Sequence, residues 1–253
     1  MEIALFSSAW LVFSLSPALA PLALRDGLAA CLRFSPRAAL ALSGLAALWG
    51  CLGALVGRGG LHIVPLGQQF PVIIAGITGG TAGRMLLLMF VARFSGSLEL
   101  ARMQALPLLA LTLAALLPAS LRRVPLPHTR IRLYLFSLLC AFIGGYFGSG
   151  ALAAFGLTVN GGVHRRKDAP ASAALLLALT AHASALLLTL LSGGAQVLPP
   201  RVLLALSSGA FLGGWRFEKS KKRGEVRQGL RTALEVYALL AALSGVEQAF
   251  FAV

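Results

Sequence analysis

Eight apolar blocks alternate with short polar stretches along this chain: Ile3 to Leu24, Ala38 to Val56, Pro71 to Phe90, Met103 to Leu117, Leu133 to Val159, Ala171 to Leu191, Val202 to Trp215 and Leu230 to Phe251. None shows the two-residue alternation of a barrel strand, and most have the length a helix needs to cross a ~30 Å hydrocarbon core. The pattern predicts an all-α integral membrane protein of about eight transmembrane helices. It also repeats. Ser16, Ala18, Leu19 and Ala20 recur as Ser149, Ala151, Leu152 and Ala153, while Gly76 and Gly80 recur as Gly209 and Gly213, each pair 133 residues apart. Two four-helix repeats are therefore expected, over 1–120 and 133–253. The polar connection at 121–132 carries Pro125 and Pro127, which discourage a continuous helix. Sites where such repeats meet are a feature of secondary transporters.

Composition agrees with the pattern. Apolar residues make up 58% of the chain and charged residues 12%, with a mean hydropathy of +0.84, outside the range of soluble globular domains. The net charge of +14 does not point to nucleic acid, because the basic residues sit in short connections rather than along one face with interleaved aromatics. Most of the 22 lysines and arginines follow the first, third, fifth and seventh blocks. By the positive-inside rule those connections face the cytoplasm, which places a multi-pass protein in the cytoplasmic membrane with both termini outside. Arg122, Arg123, Arg130 and Arg132 are the exception. Four crossings per half make the repeats parallel; if blocks one and five dip in and return, the repeats are inverted. Ala18, Leu19 and Ala20 resemble a signal-peptidase site, but no basic residue precedes them and the segment has a repeat partner, so a retained helix is expected. Cys31, Cys51 and Cys140 lack metal-ligand spacing and read as small hydrophobes. No cofactor is expected.

Chemistry concentrates in a few places. Gly144, Gly145, Gly148 and Gly150, with Tyr146, Phe147 and Ser149 among them, weaken a helix by roughly 1 kcal/mol per glycine. An unwound turn here would expose backbone N–H groups, and a helix resuming near Ala151 would turn its positive end toward an anion. Close packing by small residues is the competing explanation. Block one offers Ser14, Ser16, Pro17 and Pro21 instead, where proline can break the helix and serine hydroxyls can line the gap or bond back to their own carbonyls. Gly76, Gly79, Gly80 and Gly83 before Arg84, and Gly209, Gly213 and Gly214 before Arg216, form helical faces suited to packing, with the two arginines expected at cytoplasmic ends. His182 is a titratable side chain deep in an apolar block, able to carry a proton or donate to an anion. The basic stretch from Arg216 to Arg231 reads as a topology anchor, or as a surface for anionic lipid.

Three stretches resemble the TauE/SafE family of permeases: GGYFGSGALAAFGL from Gly144 to Leu157, APASAALLLALTAHASA from Ala169 to Ala185, and the small-residue helix, basic loop and last helix from Ser207. The resemblance implies transport of small sulfur-containing anions, such as sulfite, sulfonates or sulfoacetate-like compounds. It maps the family's glycine signature onto Gly148 and Gly150. Ser149 and Ala151 interrupt that signature, and block one contains no glycine between Met1 and Arg25.

The expected protein is thus not an enzyme but a permease, holding a small anion between broken segments one and five through Ser14, Ser16, Gly145, Tyr146, Gly148, Ser149, Gly150 and His182. Its surroundings are the lipid bilayer. A coupling proton or ion and a homo-oligomeric state stay open. The alternatives are an intramembrane serine hydrolase of rhomboid type, with Ser149 as nucleophile and His182 as base, and a non-transporting scaffold.

Overall fold

The computed structural model describes residues 1–31, 36–59, 66–93, 97–116, 129–148, 169–192, 199–223 and 228–250, and these are almost entirely helical. Among them lie nine helices: α1 (Glu2–Leu15), α2 (Ala20–Cys31), α3 (Pro36–Arg58), α4 (Leu66–Arg93), α5 (Ser97–Leu116), α6 (Arg130–Phe147), α7 (Ala169–Leu191), α8 (Pro200–Arg223) and α9 (Gln228–Phe250). Five stretches are long and apolar enough to cross a membrane: Ala39–Arg58, Gln69–Arg93, Arg130–Phe147, Ser172–Leu191 and Gly229–Glu247. The protein is therefore a helical membrane protein by length and composition.

The remaining blocks depart from simple spans for identifiable reasons. Block one divides. α1 stops where Ser16 turns to extended backbone (φ −159°, ψ 98°), and Ser16 O then accepts N–H bonds from Leu19 and Ala20 to start α2. Pro17, which has no N–H to donate, is in the gap. At 14 residues α1 rises about 21 Å, short of the hydrocarbon thickness. Block four has an apolar core of only Gln104–Leu113. Block seven continues past Trp215 as helix through the basic residues to Arg223, so the last third of α8 is mostly polar.

Packing sorts six of the described helices into two co-directional sets. Gly209 of α8 lies against Phe6 of α1, and Gly213 against Trp10 and Phe13, so α1 and α8 advance together. Gly53 and Gly57 of α3 meet Phe211 and then Trp215 of α8 in the same sense. In the second set, Gly79 and Gly83 of α4 meet Leu138 and then Phe142 and Tyr146 of α6, while Gly76 and Gly80 meet Thr180 and then Ala181 and Ser184 of α7. The sets join where α3 packs on α7. Only seven residues separate Arg58 from Leu66, a reach of at most about 29 Å against the ~34 Å length of α3. They cannot lead back to the start of α3, so α4 runs opposite to it. α5 and α9 pack chiefly on each other, and α9 contributes little buried surface.

Each set has an apolar core in which glycine and alanine let backbones approach. Phe13, Leu42 and Leu206 are fully enclosed in the first, Val72, Ala141 and Leu177 in the second. Within lipid such contact replaces the hydrophobic drive as the source of helix association.

Candidate functional site

The C-terminal end of α6 is the place where polar side chains from several helices converge. α6 does not unwind at its glycine pair: Gly144 and Gly145 are helical and buried, and a Cβ on Gly145 would run into the backbone of Gly80. Gly145 serves packing, and the helix breaks one turn later. Gly148 adopts φ 69°, ψ 2°, the left-handed conformation in which side chains are strained. A Cβ there would meet the Leu40 side chain and come within 3.3 Å of Arg84 Nη2.

Arg84 is the unexpected member of this cluster. It lies nine residues before the end of α4, about 13 Å inside the helix and within its apolar stretch Gln69–Arg93. It is 3% exposed, its Nε has no acceptor, and among the described residues it forms no hydrogen bond or ion pair. Arg25 of α2 approaches from another side, donating to the carbonyl of Phe147 at 3.4 Å and to Gln104 Oε1 of α5 at 3.3 Å. Arg25 and Arg84 interact electrostatically, as do Arg84 and His182. His182 is 2% exposed on α7, in the turn whose Ala181 and Ser184 abut Gly80 of α4. It forms no hydrogen bond among the described residues. Thr180 and Ser184, its polar neighbours in sequence, bond back to the carbonyls of Leu176, Leu177 and Ala181.

Tyr146 packs edge-on against Phe90 and Phe147 and closes the apolar side of the cluster. The structure thus brings Gly148 beside Arg84 and the Tyr146 backbone against the preceding Gly83, while Gly145 meets Gly80 a turn earlier and His182 lies in the turn of α7 that abuts Gly80. Ser14 is placed elsewhere: its hydroxyl donates to Leu11 O at 2.8 Å and its backbone lies by Gly213 of α8. Ser16 forms the break between α1 and α2 and is buried there. Ser149 and Gly150 lie outside the described residues.

Burying a guanidinium without a partner costs several kcal/mol, because the low-dielectric interior returns little of its hydration. A buried cation with unused N–H donors has the chemistry to take an anion, since the planar guanidinium matches the oxygens of a carboxylate or other oxyanion. Among the described residues no group of His, Cys, Asp and Glu could hold a metal ion. Neither a family model nor a curated relative matches the chain.

Sequence reasoning missed Arg84, Arg25 and Gln104. One signal for Arg84 was present: the eight residues that follow it, Met85 to Ala92, carry no charge, so the helix had to continue beyond it.

Proposed function

We propose that this protein is a membrane permease for small oxyanions, working by alternating access between two oppositely oriented halves. The observation that carries the proposal is Arg84, a permanent cation held inside the helical bundle without a partner among the described residues. Sulfur oxyanions are the substrate class favoured by the resemblance to TauE/SafE permeases, and their several acceptor oxygens suit a guanidinium fork.

The arrangement of helices supports two halves related by duplication. α3 and α7 begin and end 133 residues apart, the offset of the matched serines and glycines. Their neighbours correspond as well: α1 packs on α8 as α6 packs on α4, and α3 packs on α8 as α7 packs on α4. Each half therefore lends its opening helix to the other. Because α1 belongs to one co-directional set and α6 to the opposed one, the halves are inverted. The short, interrupted first segment supplies the odd number of passes that inversion requires. Movement of one set against the other would expose Arg84 to alternate sides.

Tracer flux in proteoliposomes tests the proposal. Uptake of radiolabelled sulfite, thiosulfate or a simple sulfonate should saturate, compete among these anions, and fall at least tenfold in Arg84→Gln. Absence of uptake for oxyanions of sulfur, carbon and phosphorus alike would refute it.

A further inference from the structure

We propose that His182 carries a proton that moves together with the anion, making the permease an anion–proton symporter. This rests on the permease function above.

His182 and Arg84 sit on packed neighbours, α7 and α4, and both are buried; Arg84 Nε has no hydrogen-bond partner among the described residues. The helices around α7 offer few other charges. Arg58 of α3 is tied to Glu218, Arg93 closes the far end of α4, and Arg130 and Arg132 are exposed at the opposite end of α6. The other titratable groups described on these helices are the thiols of Cys51 and Cys140 and the phenols of Tyr134 and Tyr146. Ala181 and Ser184, on either side of His182, abut Gly80 of α4, one helical turn before Arg84. The acidic side chains in the membrane-spanning stretches, Glu235 and Glu247, both belong to α9, which does not pack on α7, and Glu235 is engaged by Arg231.

A proton on His182 beside an empty Arg84 would place two positive charges together where water is scarce. An oxyanion on Arg84 supplies the missing negative charge, so anion and proton each strengthen the other's binding by the same factor. For a monovalent anion the balance is simple. One negative and one positive charge enter, one of each leaves, and Arg84 keeps its own charge throughout. The empty carrier then returns with no net cargo.

The test uses proteoliposomes at zero membrane potential, clamped with potassium and valinomycin, and methanesulfonate as a probe that stays ionised across the neutral range. An inwardly directed proton gradient should concentrate the anion about tenfold for each pH unit. In His182→Gln the equilibrium ratio should no longer follow the pH gradient; because the readout is a ratio and not a rate, a slower variant still answers. Wild-type calorimetry in two buffers of different ionisation enthalpy should show uptake of one proton per anion bound, independently of any variant. Downhill uptake indifferent to the pH gradient, a His182→Gln ratio that tracks it, or binding without proton uptake would each overturn the proposal while leaving the permease function standing. Absence of any anion flux would instead overturn the permease function itself.

Discussion

Two arginines, Arg58 and Arg84, are buried to nearly the same degree, at 6% and 3% exposure, yet their surroundings are opposite. Arg58 ends α3 and reaches Glu218 of α8, with its Nη2 at 3.0 Å and 2.9 Å from the two carboxylate oxygens. The pair sits where Gly57 lets α3 approach Trp215 and Glu218. Arg84 lies inside α4 with no carboxylate within ion-pair distance among the described residues, and with two other basic groups in electrostatic range. Burial alone therefore says little about a charged side chain. A buried cation that brings its own counter-ion fixes two helices together, whereas one that lacks it keeps donors unused.

The comparison breaks most sharply at the pair. Removing one partner, as in Glu218→Gln or Arg58→Leu, leaves an uncompensated buried charge or a carboxylate without its cation, and should cost about 3–5 kcal/mol in thermal denaturation. Replacing both with leucine should restore most of that loss, because the pair's own desolvation cost disappears with it. Arg84→Leu should behave otherwise: stability without anion should stay level or rise. The stabilisation given by a sulfur oxyanion in the wild type, about 2.7 kcal/mol at one hundred times its dissociation constant, should vanish. Gly148→Ala comes next, at about 1–2 kcal/mol for the left-handed backbone, together with weaker anion binding because the new methyl group crowds Arg84. The smallest effect belongs to the exposed pair Arg231 and Glu235, one helical turn apart on α9. Arg231→Gln should change stability by no more than about 0.5 kcal/mol and leave anion binding untouched.

Much of the fold is legible in the sequence because a membrane leaves few choices for apolar blocks of this length. The break in block one was also legible, since Pro17 cannot donate to the helix. The glycine run of block five was harder. Gly144 and Gly145 lower helix propensity yet stay helical, Gly145 against the backbone of Gly80, and among the described glycines of the run it is Gly148 that leaves the helix. Periodicity cannot reveal which glycine faces another backbone. Arg84 was obscured by a similar ambiguity: a charge after an apolar run usually marks a membrane boundary, and only the uncharged Met85–Ala92 stretch shows otherwise. Arg25 and Gln104 are 79 residues apart, and nothing local joins them.

The most direct test of Arg84 as an anion receptor is the thermal stability of the purified protein titrated with a sulfonate, compared among wild type, Arg84→Gln and the exposed control Arg231→Gln. The account predicts saturable stabilisation in the wild type and the control and none in Arg84→Gln. Equal stabilisation in all three, or none in the wild type across sulfonate, sulfite, thiosulfate and simple carboxylates, would contradict it.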